Sequence, residues 1–163
     1  LTKWQIIFQE AGGITLGNAD LTVNSLAATS FNGSLSGNGG LIKTGTEALM
    51  LTGVNFYSGT TTVNQGRLIG THGSSLGLAE IDNQAELELA FEQNEIVNNQ
   101  LSGSGSLIKS GAGIGSLTAS GSSQGDVQVN GGTLQFTQNG SFGAASYNTA
   151  SGATTHSLPI HHC

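Results

Sequence analysis

The sequence predicts an all-β chain coiled as a parallel β-helix of roughly seven rungs, each about 22 residues long. Three observations carry that expectation. The phrase LSGNGGLIKTG, Leu35 to Gly45, returns 66 residues later as LSGSGSLIKSG, Leu101 to Gly111. Apolar residues come in short alternating runs, the period of a strand with one buried face. Glycine fills 26 of 163 positions amid abundant Ser, Thr and Asn, a make-up that weakens helices and supplies turns.

The repeat holds without a gap. Leu41, Ile42, Lys43 and Gly45 meet Leu107, Ile108, Lys109 and Gly111. Further along, Leu51 and Thr52 fall on Leu117 and Thr118, Gly59 on Gly125, and Val63 and Asn64 on Val129 and Asn130. Gly66 and Leu68 meet Gly132 and Leu134, Thr71 meets Thr137, and Ser75 and Gly77 meet Ser141 and Gly143. Self-similarity of this length marks a structural repeat. The chain divides into a solenoid over 1–150, holding two related units at about 31–77 and 97–143, and a tail over 151–163 that leaves the pattern.

Within the units, Leu49 and Leu51, then Leu87, Leu89 and Phe91, then Val127 and Val129, then Leu134 and Phe136 are expected to face inward. Glu86, Glu88, Gln128 and Gln135 take the alternate, solvent-facing positions. The phrases SGNGG, NQG, NGG and NGS between them supply the positive φ angles that tight corners need. Such short strands suit the rungs of a solenoid, with an ordinary sandwich or barrel as the competing architecture. With three rungs per unit, Lys43 and Lys109 are expected on one face about 14 Å apart, as solvated edge charges, while Leu41 packs inward. Phe31, Phe91, Phe136 and Phe142 are expected in the core, Trp4 in a rung near the start, and Phe56 with Tyr57 as an exposed aromatic pair.

Charge and cysteine content exclude several classes. A formal charge of −6 with four Lys plus Arg leaves no basic stripe for nucleic acid. No apolar run approaches the roughly 18 residues that span a bilayer, so this segment is not expected to insert in a membrane. LTKWQIIFQE at the start lacks a signal peptide's long apolar stretch. Cys163 is the sole cysteine, so no internal disulfide is expected. That fits a cytosolic protein and equally a secreted bacterial chain that stays unlocked during export.

The stretch GNGGLIKTGTEALMLTGVNFYSGTTTVNQGRLIG, Gly37 to Gly70, resembles the passenger-associated strand repeat of bacterial type V autotransporters. Leu41, Lys43, Gly45, Leu49, Leu51, Gly53, Tyr57, Ser58, Gly59, Thr60, Thr61, Val63, Asn64, Gly66 and Leu68 match that pattern. The second copy, Gly103 to Phe136, is looser, with Ser123 and Ala119 where the first has Tyr57 and Gly53. The resemblance implies a right-handed parallel β-helix, reached through the periplasm and an outer-membrane barrel, and displayed on the bacterial surface or secreted. The barrel is expected elsewhere in a longer protein. Stalks, late-folding segments, adhesins, self-associating proteins and toxins all use such repeats.

Catalytic patterns also occur. Gly73-Ser74-Ser75-Leu76-Gly77 and Gly121-Ser122-Ser123-Gln124-Gly125 fit the nucleophile elbow G-x-S-x-G, but no helix follows either. Ser106-Leu107-Ile108-Lys109 reads S-x-x-K and Lys43-Thr44-Gly45 reads K-T-G, in reversed order and without a Ser-Asp-Asn element. Gly37-Asn38-Gly39 and Gly103-Ser104-Gly105 open as phosphate loops do, yet Ile42 and Ile108 stand where a third glycine belongs. Glu80, Asp82, Glu86, Glu88, Glu92 and Glu95 crowd together and read first as a solvated acidic patch, with a weak cation or basic-partner site as the alternative. His161, His162 and Cys163 are metal-capable types after Pro159, read here as a tag-like or frayed end. Asn32-Gly33-Ser34 and Asn139-Gly140-Ser141 fit the glycan acceptor pattern but read as corners.

The function expected is a passenger segment acting without catalysis, cofactor or metal. Its partner would be a host cell-surface protein or glycan, or another rod by self-association. Phe56, Tyr57, Glu80, Asp82, Glu86, Glu88, Glu92 and Glu95 are the candidate partner contacts. A secreted effector that binds one host receptor is the second reading, and a β-helical carbohydrate enzyme the third.

Overall fold

The computed structural model describes residues 12–120, 122, 124–137, 144 and 146–157. Trp4, Ser123, Phe142, Asn139-Gly140-Ser141, Pro159, His161, His162 and Cys163 lie outside the described residues. Within them every regular element is a strand, and all the pairings are parallel. The strands visit three faces in turn, so the chain forms a three-sided solenoid of about seven coils. At one strand spacing per coil the stack is roughly 30 Å tall.

The second face stacks Leu21–Asn24, Leu41–Thr44, Thr61–Val63, Ile81–Asn83 and Leu101–Ser102. The third stacks Thr29–Phe31, Ala48–Leu51, Arg67–Gly70, Glu86–Ala90, Ser106–Ser110, Asp126–Val129 and Ser146–Thr149. On the first face there are two sheets. Ile14–Thr15, Leu35–Gly37 and Phe56–Tyr57 form the lower one, and Glu95–Val97, Ile114–Leu117, Thr133–Phe136 and Thr154–Ser157 the upper. A turn over 72–78 sits between them. It meets the lower sheet through Asn55 N–H to Ser74 O and Leu78 N–H to Tyr57 O. It meets the upper coil through Gly73 N–H to Glu95 Oε2 and Asn99 Nδ2 to Gly77 O.

Register sets the coil length. Leu21, Leu41, Thr61, Ile81 and Leu101 pair in succession, so a coil takes 20 residues on this face rather than the expected 22. The 66-residue offset is therefore three coils plus one face. Leu41 lies on the second face, whereas Leu107 lies on the third, in the column Leu49, Leu68, Leu87, Leu107, Val127. The second repeat is the first turned by a third of the cross-section. Lys43 and Lys109 accordingly do not share a face, which corrects the sequence-based expectation. The stack also continues past residue 150, where Thr154–Ser157 pairs with Thr133–Phe136, so the boundary expected there falls inside the solenoid.

Alternation fills the interior. Leu35, Leu41, Leu49, Leu51, Leu68, Ile81, Leu87, Leu89, Leu101, Leu107, Val127 and Leu134 form one buried column set, with Phe31 and Phe91 among them as expected. Phe136 packs against it half-buried. Each such side chain contributes about 1.5–3 kcal/mol through burial. Tyr57 is also inside, not in an exposed aromatic pair. Thr61 Oγ1 donates its proton to Leu76 O at 3.0 Å, so the Tyr57 hydroxyl donates to Thr61 Oγ1 at 2.7 Å. Gly77 makes room for the ring, since a Cβ there would lie 2.4 Å from Tyr57 Cε2 and its φ is +76.

Burial raises the Tyr57 pKa above its ordinary 10.0, partly offset by the Thr61 hydrogen bond. A raised folded-state value means that the protonated phenol's contribution to stability is complete below pH 10 and is lost as pH climbs beyond it. The chain has two tyrosines. In an absorbance titration of the phenolate band, Tyr147 is expected to ionise reversibly in the folded state and Tyr57 only together with loss of the far-ultraviolet β signal. Ionisation of both in the folded chain near pH 10 would contradict this burial.

Candidate functional site

The repeated phrase acquires a physical meaning at its lysines. Lys43 occupies the inward column Val23, Lys43, Val63, and Lys109 the inward column Leu89, Lys109, Val129. Both are fully buried. They are not solvated edge charges, because period two places Lys43 on the same side of its strand as Leu41.

What makes burial tolerable is the corner that follows. Gly45 has φ +79 and Gly111 φ +76, a backbone shape that glycine adopts without strain. A Cβ at Gly45 would also come 2.3 Å from Ser25 O. The corner carbonyls are thereby brought to the ammonium. Lys43 Nζ donates to Thr44 O and Gly45 O at 2.8 Å each, and to Gln65 O of the next coil at 3.1 Å. Lys109 Nζ donates to Ser110 O, to Gly111 O at 3.1 Å and to Gly131 O at 3.5 Å, and stands 5.9 Å from the Phe91 ring centroid. Leu-x-Lys-x-Gly is thus a corner plug, in which one charged group satisfies carbonyls of two coils.

Desolvation pulls both lysine pKa values below 10.5, opposed by the charges of Glu47 and Glu92. The folded state therefore releases these protons before the unfolded chain does, so their contribution makes stability rise as pH approaches 10.5.

The acidic residues do not gather into one patch. Glu80 and Asp82 lie at the second face, Glu86 and Glu88 on the third, Glu95 on the first, and Glu92 at the corner between the third and first. All six are engaged within the solenoid. Arg67 clamps Glu86 and Glu88 at 2.8 and 2.9 Å, joining two coils, and Glu88 also accepts from Ser110 Oγ at 2.6 Å. Glu80 accepts from Ser102 Oγ and Asp82 from Gln84 Nε2. Glu92 accepts from Ala112 N–H at 3.4 Å and Glu95 from Gly73 N–H at 3.0 Å. Among the described residues no group of His, Cys, Asp and Glu is disposed to hold a metal ion.

The motif residues are similarly occupied. Ser75 is buried and donates to His72 O at 2.6 Å, so its hydroxyl is not presented as a nucleophile. Ser106 and Lys109 project to opposite sides of one strand and cannot act together. Asn38 and Gly39 both give their N–H groups to Gly17 O, which leaves neither for a phosphate. Buried amides take over bridging between coils. Asn55 joins Leu35 N–H to Ser75 O, and Asn83 donates to Ser106 O and to Gln124 Oε1.

Of the expected contact residues, Phe56 is exposed and Tyr57 is not. The alternation of Asn55 and Tyr57 inward with Val54 and Phe56 outward explains the difference. Sequence reasoning missed Val54, Leu78 and Ile96, which are exposed around the 72–78 turn. For Ile96 the signal was Val97, whose inward position turns its neighbour out.

The family model of the passenger-associated-transport-repeat matches residues 41–69 and 107–136. Both stretches are similar to that repeat. Each match begins at the strand bearing the buried lysine, Leu41–Thr44 in the first and Ser106–Ser110 in the second. No curated protein and no solved structure matches the chain.

Lys43→Met keeps the side-chain length but leaves the carbonyls of Gly45 and Gln65 without the lysine's protons, while Thr44 O keeps the N–H of Ser25. A loss of about 2–4 kcal/mol is expected in urea unfolding. A change within about 0.5 kcal/mol, the usual result at an exposed site, would contradict the plug.

Proposed function

We propose that the chain is a segment of an autotransporter passenger, a stiff rod displayed on the bacterial surface or secreted, that acts by contact through its faces and not by catalysis. The observation that carries the reading is the pair of passenger-associated-transport-repeats built into one continuous parallel solenoid. Backbone hydrogen bonds from coil to coil run the length of the described residues and make such a rod mechanically resistant along its axis. Adhesion to a host surface protein or glycan, and a role in virulence, follow as the use to which a displayed rod is put. Dispersal of the acids over three faces supports contact rather than glycoside hydrolysis, which needs two carboxylates flanking one bond.

The experiment is surface display. Fused upstream of an outer-membrane barrel in a Gram-negative host, the chain is expected to become accessible to antibody and protease on intact cells. Retention in the periplasm, with the barrel inserted, would contradict the passenger reading.

A further inference from the structure

Six large hydrophobic side chains are exposed among the described residues, and four of them surround one feature. Val54 and Phe56, 42% and 57% exposed, lie on the coil below the 72–78 turn. Leu78, 63% exposed, closes that turn, and Ile96, 58% exposed, lies on the coil above it. Two coil spacings separate Phe56 from Ile96, about 10 Å. Gly73 lies against the Ile96 backbone and Ser74 pairs beside Val54, so small residues occupy the space between the apolar side chains.

The place is distinctive in two independent ways. It is where the first face loses its strand ladder and divides into two sheets. Leu78 and Ile96 also lie between the two matched repeats, in the stretch that neither claims. Tyr147, by contrast, owes its exposure to position, since it continues the inward column above Val127 and meets the Phe136 ring edge-on at 6.3 Å.

Charge selects the occupant. Among the described residues the Lys and Arg side chains are Lys43, Lys109 and Arg67, two of them buried and the third clamped by Glu86 and Glu88. Flanking the patch in sequence are the carboxylates Glu80 and Glu95 and the imidazole of His72, whose ring nitrogen meets Thr52 O at 3.1 Å. A second copy of this chain would bring another surface of formal charge −6 against the first.

We propose that the interrupted first face is a docking surface for a polypeptide segment that sets apolar side chains among lysines or arginines. The proposal rests on the contact-by-surface reading above and names the partner's chemistry. Four side chains present an apolar patch of a few hundred Å², well below a standard protein interface, so the fitting partner is a short segment bound in the micromolar range.

The test uses the full chain and three synthetic twelve-residue peptides, followed by fluorescence anisotropy at low salt. One alternates leucine pairs with lysine pairs, one replaces its leucines by serine, and one replaces its lysines by glutamate. The leucine–lysine peptide is expected to bind, the serine–lysine peptide at least tenfold more weakly, and the leucine–glutamate peptide not at all. Combining Phe56→Ser with Ile96→Ser is expected to weaken the first peptide at least tenfold, while Leu26→Ser, an exposed apolar side chain on a distant corner, leaves it unchanged. Equal binding of the two lysine peptides, or an unaffected double variant, would overturn the proposal. So would concentration-dependent dimerisation of the chain that the double variant abolishes, which would assign the face to a second copy. None of these results alters the surface-display outcome, so this docking surface and the passenger reading fail separately.

Discussion

A buried ammonium survives only where fixed dipoles replace the water it has lost, and a narrow solenoid has such dipoles to offer at its corners. Where the chain leaves one face for the next, carbonyls drop out of the strand ladder and need another donor. Lys43 and Lys109 meet both needs at once. Around this exchange the neighbouring positions become constrained. Leu41 and Leu107 set the inward parity, and Gly45 and Gly111 turn the carbonyls in. The lysine then ties its own coil to the next through Gln65 or Gly131.

Because the plug faces inward, it places little demand on what the same residues show to solvent. The second repeat could therefore be set a third of a turn away from the first without loss of its core geometry. Outward neighbours differ accordingly. Ile42 stacks between Thr22 and Thr62, whereas Ile108 stacks between Glu88 and Gln128. A repeat of this kind adds coils to a solenoid while leaving each face free to diverge.

Much of this was legible in the sequence. The repeat and the period-two runs predicted a parallel solenoid, and Phe31, Phe91, Leu87 and Leu89 fell inside as the alternation required. The lysines were misplaced because charge was allowed to outweigh parity; Leu41 and Lys43, two apart on one strand, must share a side. Coil length was misread because 66 was divided by a whole number of turns, and identity between copies does not say which face each copy occupies. The break over 72–78 was illegible for a different reason. A turn that replaces a strand is decided by packing of Tyr57, Leu76 and Gly77 inside the coil, and no local pattern records those contacts.

In this chain the two stretches similar to the passenger-associated-transport-repeat each close a corner with a buried lysine, and the stack of coils is built across those corners. The most direct measurement is proton–nitrogen NMR of the lysine side chains in the folded chain near neutral pH. Buried, carbonyl-bound ammonium groups at Lys43 and Lys109 are expected to give resolved signals whose protons exchange slowly with water, and Gly45→Ala is expected to accelerate exchange at Lys43 while sparing Lys109. Rapid exchange at both lysines, as for charges bathed in solvent, would contradict the account.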